Sequence, residues 1–262
     1  MNTGDAVEGS RTILNLRGGY RFLPGIEPYS SGVVAASGFE IVHVTLTAAV
    51  PWHAGLCAAR RYLESLGLSQ HALCGVELRC PRPHTMDGFI DFNRDYRALL
   101  NEWDMPVDGQ NPVARTNVAP VAAAPAETVL FGFSYCCPSD SAAGTFVVAG
   151  GGELPTKALD STKIVRAGDV SREAMAEKAR CVVGIMNTRL AGLGARHEQL
   201  TMIDVYTAHD LRLSLSDILI PEIPVAAAVG IRWFYSRPPI VDIEFEMDMR
   251  GVRRELIVEL ES

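Results

Sequence analysis

The order of apolar runs in the first half of this 262-residue chain recurs in the second. Self-similarity at the period of a whole domain points to duplication and not to a solenoid of short repeats. In the first half, residues 32–36 and 41–46 are short β-branched runs that read as a hairpin. Leu56, Ala59, Tyr62, Leu63 and Leu66 then recur at helical spacing until Gly67 stops the run. A strand over 75–80, a helix over 86–103 and strands over 116–122 and 128–137 complete a ββαβαββ order. The second half gives a strand over 145–149 that ends in Gly150-Gly151-Gly152, and a helix over 171–193 with Ser171 as N-cap. A strand over 200–206, a short irregular helix over 210–219 and strands over 225–234 and 241–249 follow.

Residues 138–144 are small, polar and turn-forming, and are read as the linker. The expected fold is therefore α+β: two tandem domains, residues 11–137 and 138–262, each a sheet with helices packed on one face. Such sheets leave an apolar face to bury, so domain pairing and oligomerisation are expected.

Composition sets outer limits. With 48% hydrophobic and 21% charged residues the chain can bury a core. A formal charge of -7 without a Lys/Arg cluster argues against nucleic acid. Residues 1–10 read as a frayed polar tail and not as a leader peptide, and no apolar run reaches the roughly 20 residues of a membrane span. Cytoplasm is the expected location. The six cysteines and six histidines show neither C-x-x-C nor zinc-ligand spacing, so no metal is expected.

Several segments resemble the RidA (reactive intermediate deaminase) family. Pro28-Tyr29-Ser30 with Gly32-Val33-Val34 is similar to that family's opening motif. Phe89-x-x-Phe92-Asn93-x-x-Tyr96 is similar to its helix, and the run from Pro112 through Arg115 to Val118 to the entry of its penultimate strand. In the second half, the run from Phe146 to Pro155 resembles the strand that ends in the family's glycine loop. The resemblance implies a chorismate-mutase-like fold, a homotrimer with clefts between subunits, and hydrolysis of small enamines or imines without metal or organic cofactor. It assigns Arg115 to a substrate carboxylate, Tyr29 to the substrate beside it, and Asn93 to a place near the cleft. Asn117 stands where such deaminases often carry cysteine. The family's last-strand acid would fall near Phe131 or Gly132, and neither can position water. In the second half the arginine position falls on Val229, so that half has no clamp.

The residues themselves leave alternatives open. A planar guanidinium suits a carboxylate, but Arg115 could equally form an interdomain salt bridge. Tyr29 could be packing. Gly150 and Gly151 could offer amides to a carboxylate or merely make a tight connection. Glu153, with Glu27 behind it, is the candidate substitute for the missing acid. The expected activity is deamination of a small carboxylate-bearing enamine, 2-aminomuconate-like or 2-aminoacrylate-like. A non-catalytic carboxylate-binding scaffold and a chorismate-type hydrolase are the alternatives.

Overall fold

A computed structural model describes residues 12–140, 144–156 and 158–260. The tail 1–10 and the middle of the linker segment lie outside them. In chain order the strands are β1 (Ile13–Asn15), β2 (Tyr20–Leu23), β3 (Gly32–Ala35), β4 (Phe39–Pro51), β5 (Leu73–Arg79), β6 (Ala114–Pro120), β7 (Val129–Pro138), β8 (Phe146–Gly152), β9 (Met202–Tyr206), β10 (Arg232–Phe234), β11 (Ser236–Arg237), β12 (Glu246–Gly251) and β13 (Glu255–Val258). The long helices are α1 (Trp52–Ser65), α2 (Met86–Glu102) and α3 (Arg172–Gly192).

The strands form two sheets, β1-β2-β3-β8-β12-β9-β10 and β11-β6-β5-β7-β4-β13. Leu56, Leu63, Tyr96 and Leu100 of α1 and α2 pack on Val42, Val44, Val76 and Phe133 of the six-stranded sheet. Met175, Val182, Met186 and Leu190 of α3 pack on Phe146, Val148, Met247 and Met249 of the seven-stranded sheet. A third core joins the two sheets face to face, with Tyr20, Phe22, Val33 and Ala149 meeting Ile41, Cys74, Ala114 and Cys136. The apolar faces that the helices leave open thus cover one another.

This corrects the expected pair of separate ββαβαββ domains. The predicted hairpin does not form: β3 bonds to β8, with Gly32 opposite Val148 and Val34 opposite Phe146. Its supposed partner β4 pairs instead with β7 and, in parallel, with β13 at the far end of the chain. Each sheet therefore borrows strands from the other half of the sequence. Residues 225–229 are also not strand. Pro224 is followed by Ala226–Val229, a helical turn rich in alanine, and Gly230 ends it at φ 80. Val229 is thus an exposed turn residue and not the counterpart of a strand arginine.

Local chemistry explains the helix limits. Ser171 Oγ accepts the Ala174 amide to start α3, and Thr85 Oγ1 accepts the Gly88 amide to start α2. Gly67 and Gly194, at φ 74 and 73, turn the chain out of α1 and α3 into the left-handed region where a side chain would be strained. Among the described residues no helix is long and apolar enough to cross a membrane.

Candidate active site

Gly150 and Gly151 mark where the site lies. A methyl group on Gly150 would collide with the Glu246 carboxyl and press on Thr116; on Gly151 it would lie 2.9 Å from Arg189 Nη1 and from Met186. These positions on β8 are bare because charged side chains from β12 and α3 lean over them. Beside them opens a cavity of about 530 Å³, within the size range of small-molecule sites. Its polar wall is Tyr29, Arg115, Asn117, Arg189 and Glu246, and its apolar wall includes Ile26, Phe89, Leu154 and Ile243.

Arg115 is the second residue of β6, opposite Val76 of the parallel β5. The Ser30 amide donates to the Val113 carbonyl at 3.0 Å, which lays the Tyr29 turn against the start of β6. The guanidinium carbon consequently sits 4.6 Å from the Tyr29 ring centre and 4.6 Å from that of Tyr96, with Phe89 and Phe92 each at 5.6 Å. Four ring faces favour the cation, although burial lowers its pKa. Nη2 donates to Asn93 Oδ1 at 2.6 Å. Nη1 is buried and has no partner among the described residues. Two positions along β6 on the same face, Asn117 is also buried, with Oδ1 and Nδ2 both unpartnered among the described residues. Orphaned buried donors are costly and rare, and both of these border the cavity.

Burial drives the Glu246 carboxyl well above the ordinary carboxylate range, and neighbouring Asp248 pushes it further; Arg189 and Arg115 oppose this. Burial therefore favours its protonated form, the form that can give up a proton. Tyr29 is also raised, by burial first, with Arg115 opposing. Arg189, on α3, donates Nη1 to the Ala149 and Gly150 carbonyls, each at 2.9 Å.

Of the residues expected from sequence, Tyr29, Arg115, Asn117, Gly150 and Gly151 meet at this cavity. Asn93 stands behind it, holding Arg115. Glu153 does not reach it. Its fully buried carboxylate pairs with Lys178 Nζ at 2.9 Å and accepts the Glu244 and Phe245 amides at 2.6 and 3.0 Å. That carboxylate ties β8 to the start of β12 and α3, and has no free edge for water. Glu27 is engaged with Arg97 on the surface. The acid at the cavity is Glu246, which sequence reading missed, as it missed Arg189. A signal was present: Glu246, Asp248 and Arg250 alternate along β12, a charged period of two that a buried strand carries only for a reason.

A second charged group lies between the sheets. Glu77, Asp204 and Asp248 bring carboxylate oxygens within 4.8 Å of one another. Arginines already meet them: Arg250 Nη1 is 2.9 Å from Asp204 and 3.5 Å from Glu77, and Arg232 Nη2 is 2.5 Å from Asp204. Thr116 and Tyr206 donate to Asp248 at 2.7 and 2.9 Å.

Comparison with known proteins follows the same line. The model of the family described as "2-aminomuconate deaminase CnbZ" matches residues 12–256. The chain is 37% identical over 246 residues to a 2-amino-5-chloromuconate deaminase of Comamonas testosteroni, covering 92% of this chain and 96% of that protein. The family so identified is not the RidA family that the motifs suggested. Among solved structures, a chorismatase aligns over 92% of this chain and 78% of its own at 14% identity and TM-score 0.44. A cyanuric acid hydrolase aligns over 81% and 66% at 8% identity and TM-score 0.37.

Proposed function

Since the chain belongs to the 2-aminomuconate deaminase family, whose members act on carbon–nitrogen bonds, we propose that it hydrolyses a 2-aminomuconate-type enamine in the cavity between Arg115 and Glu246. One observation carries the reading: a buried guanidinium with an unused donor shares a cavity with a buried carboxyl whose neutral form burial favours. Arg115 grips the carboxylate next to the amino-bearing carbon, and the four rings around it fix its plane. Glu246 donates its proton to an enamine carbon, and the amino group becomes an iminium. Water adds to the carbon of that C=N bond while the Glu246 carboxylate takes the water's proton. Glu246 passes that proton to the nitrogen and takes up the hydroxyl proton as the C–N bond breaks, so that ammonia leaves and a 2-oxo acid remains. Enamine plus water thus gives 2-oxo acid plus ammonia, and Glu246 ends as it began. Tyr29 covers the reacting end and donates its phenol hydrogen to the substrate.

The test is ammonia release and loss of diene absorbance with freshly generated 2-aminomuconate, for the wild type and for Arg115→Ala. Equal rates with and without wild-type protein would end the proposal. Family membership sets aside the non-catalytic scaffold. A homotrimer and a cytoplasmic location complete the reading. In support of the trimer, the Val121 amide bonds the Tyr235 carbonyl beside the β6–β11 ladder at the edge of the six-stranded sheet, and Val121, Tyr235 and Trp233 of the edge strand β10 are exposed, apolar area that a subunit contact covers. Sedimentation equilibrium reporting a stable monomer would remove the trimer.

A further inference from the structure

Arg115 is not the only cation at the cavity. We propose that Arg189 is a second anion clamp, and that the two arginines together make the cavity select a ligand with a carboxylate at each end. Among the described residues Arg189 is held through one nitrogen: Nη1 donates to the Ala149 and Gly150 carbonyls. That anchoring fixes the guanidinium against β8, and the absence of a side chain at Gly151 lets it lie there. Anchored arginines elsewhere in the chain meet carboxylates, as Arg232 and Arg250 meet Asp204. Among the described residues no ion pair neutralises either Arg115 or Arg189, although both reach the same cavity. The acid they share is Glu246, and burial favours its neutral form. The cavity thus offers two fixed cations without a matching anion, in a protein whose formal charge is -7. Two carboxylates supply that balance, whereas a monoacid leaves one guanidinium desolvated and unpaired. The same cavity is lined by the apolar Phe89, Leu154 and Ile243, which suits an unsaturated carbon chain.

Placing this clamp at the far end of the substrate rests on the deaminase reading, but the selectivity can be measured without turnover. Muconate and sorbate are six-carbon dienes that differ in whether the second end carries a carboxylate. Calorimetric titration of wild type, Arg189→Gln, Arg189→Lys and Arg115→Gln with both acids is the experiment. Wild type should bind muconate at least roughly 30-fold more tightly than sorbate. Arg189→Gln should lose most of that ratio while sorbate affinity stays within about threefold, and Arg189→Lys should recover part of it. Arg115→Gln should weaken both acids. The proposal is overturned if wild type binds the two alike or does not bind muconate, or if Arg189→Gln weakens both equally, as loss of the β8 anchor alone would do. Melting temperatures of each variant separate loss of fold from loss of clamp. If muconate is selected through Arg189 but no ammonia leaves 2-aminomuconate, the deaminase reading falls and the clamp stands. Turnover without selectivity gives the reverse.

Discussion

Two buried charged regions lie close together in this protein and are built in opposite ways. Between the sheets, Glu77, Asp204 and Asp248 face Arg250 and Arg232, so that acid and base largely cancel. Burial pushes Glu77 up, but His43, Arg250, Arg79 and Arg232 outweigh it and hold the acid down at about 2. At the cavity the groups do not cancel. Among the described residues Arg115 Nη1 and the whole Asn117 amide lack partners, and Glu246 is driven toward its neutral form. Thr116 connects the two regions, its hydroxyl bonding Asp248 while its neighbours Arg115 and Asn117 face the cavity. The first arrangement is what a fold needs to keep charges inside. The second is affordable only if a ligand completes it. Mutation should therefore affect stability in one region and catalysis in the other.

The largest effect is expected from Glu246→Gln. Removing the proton donor should lower kcat by about 10²- to 10⁴-fold. Thermal unfolding should not move downward, because an amide keeps the carboxyl's shape without the charge that burial disfavours. A melting point several degrees lower with kcat intact would place Glu246 among the structural acids. Arg115→Ala comes next. Losing one partner of a desolvated charged contact costs about 2–5 kcal/mol, or roughly 30- to several-thousand-fold in kcat/KM. Arg115→Lys should restore only part. If Arg115→Ala instead unfolds and its folded fraction keeps full specific activity, the guanidinium is structural and the contrast collapses.

Arg250→Ala tests the other side. It strands Asp204 and Glu77 as buried, partly uncompensated charges, a change that typically destabilises by about 3–5 kcal/mol. Urea unfolding should show that loss, while the specific activity of the folded fraction stays within a few-fold of wild type. Loss of activity without loss of stability would make the inter-sheet group part of the site.

Local rules were readable in the sequence where the causes are local. Ser171 caps α3, and Gly67 and Gly194 end their helices; Arg115, Tyr29 and Asn117, singled out by their motifs, line one cavity within the chain. The strand exchange was not readable. Gly32 pairing with Val148, and Glu255 with His43, are contacts between distant segments, and a β-branched run carries no label for its partner. Glu153 misled because a carboxylate after three glycines looks like an anion-loop acid; only the fold reveals Lys178 and the two amides that occupy it. Glu246 and Arg189 escaped because each lies in an element that its own sequence explains well enough, as strand or as helix. Their meeting over Gly150 and Gly151 is a tertiary fact.

The smallest effect separates the regions by pH. His43, buried between the sheets, bonds Ser134 Oγ through Nδ1 at 3.0 Å and lies 3.4 Å from Glu77 through Nε2. Burial lowers its pKa to about 4, against the pull of Glu77. A histidine depressed in the folded state is neutral there while the unfolded chain takes up a proton below about pH 6.5. The unfolded state therefore binds more protons between pH 6.5 and 4, and stability rises with pH across that window. Read downward, stability is full above about 6.5 and is lost progressively toward 4, on the order of 2–3 kcal/mol for this one group. Glu77, held down at about 2, contributes stability that is present above its unfolded value near 4.5 and lost as pH falls toward 2, so its window lies below that of His43. The urea midpoint of wild type relative to His43→Gln, which has no proton to gain, should fall steadily from pH 7 through 6 and 5 to 4.5, a difference that cancels the other acids common to both. An unchanged slope in that variant would mean that His43 is not held neutral between the sheets, and that the inter-sheet region is less closed than its ion pairs imply.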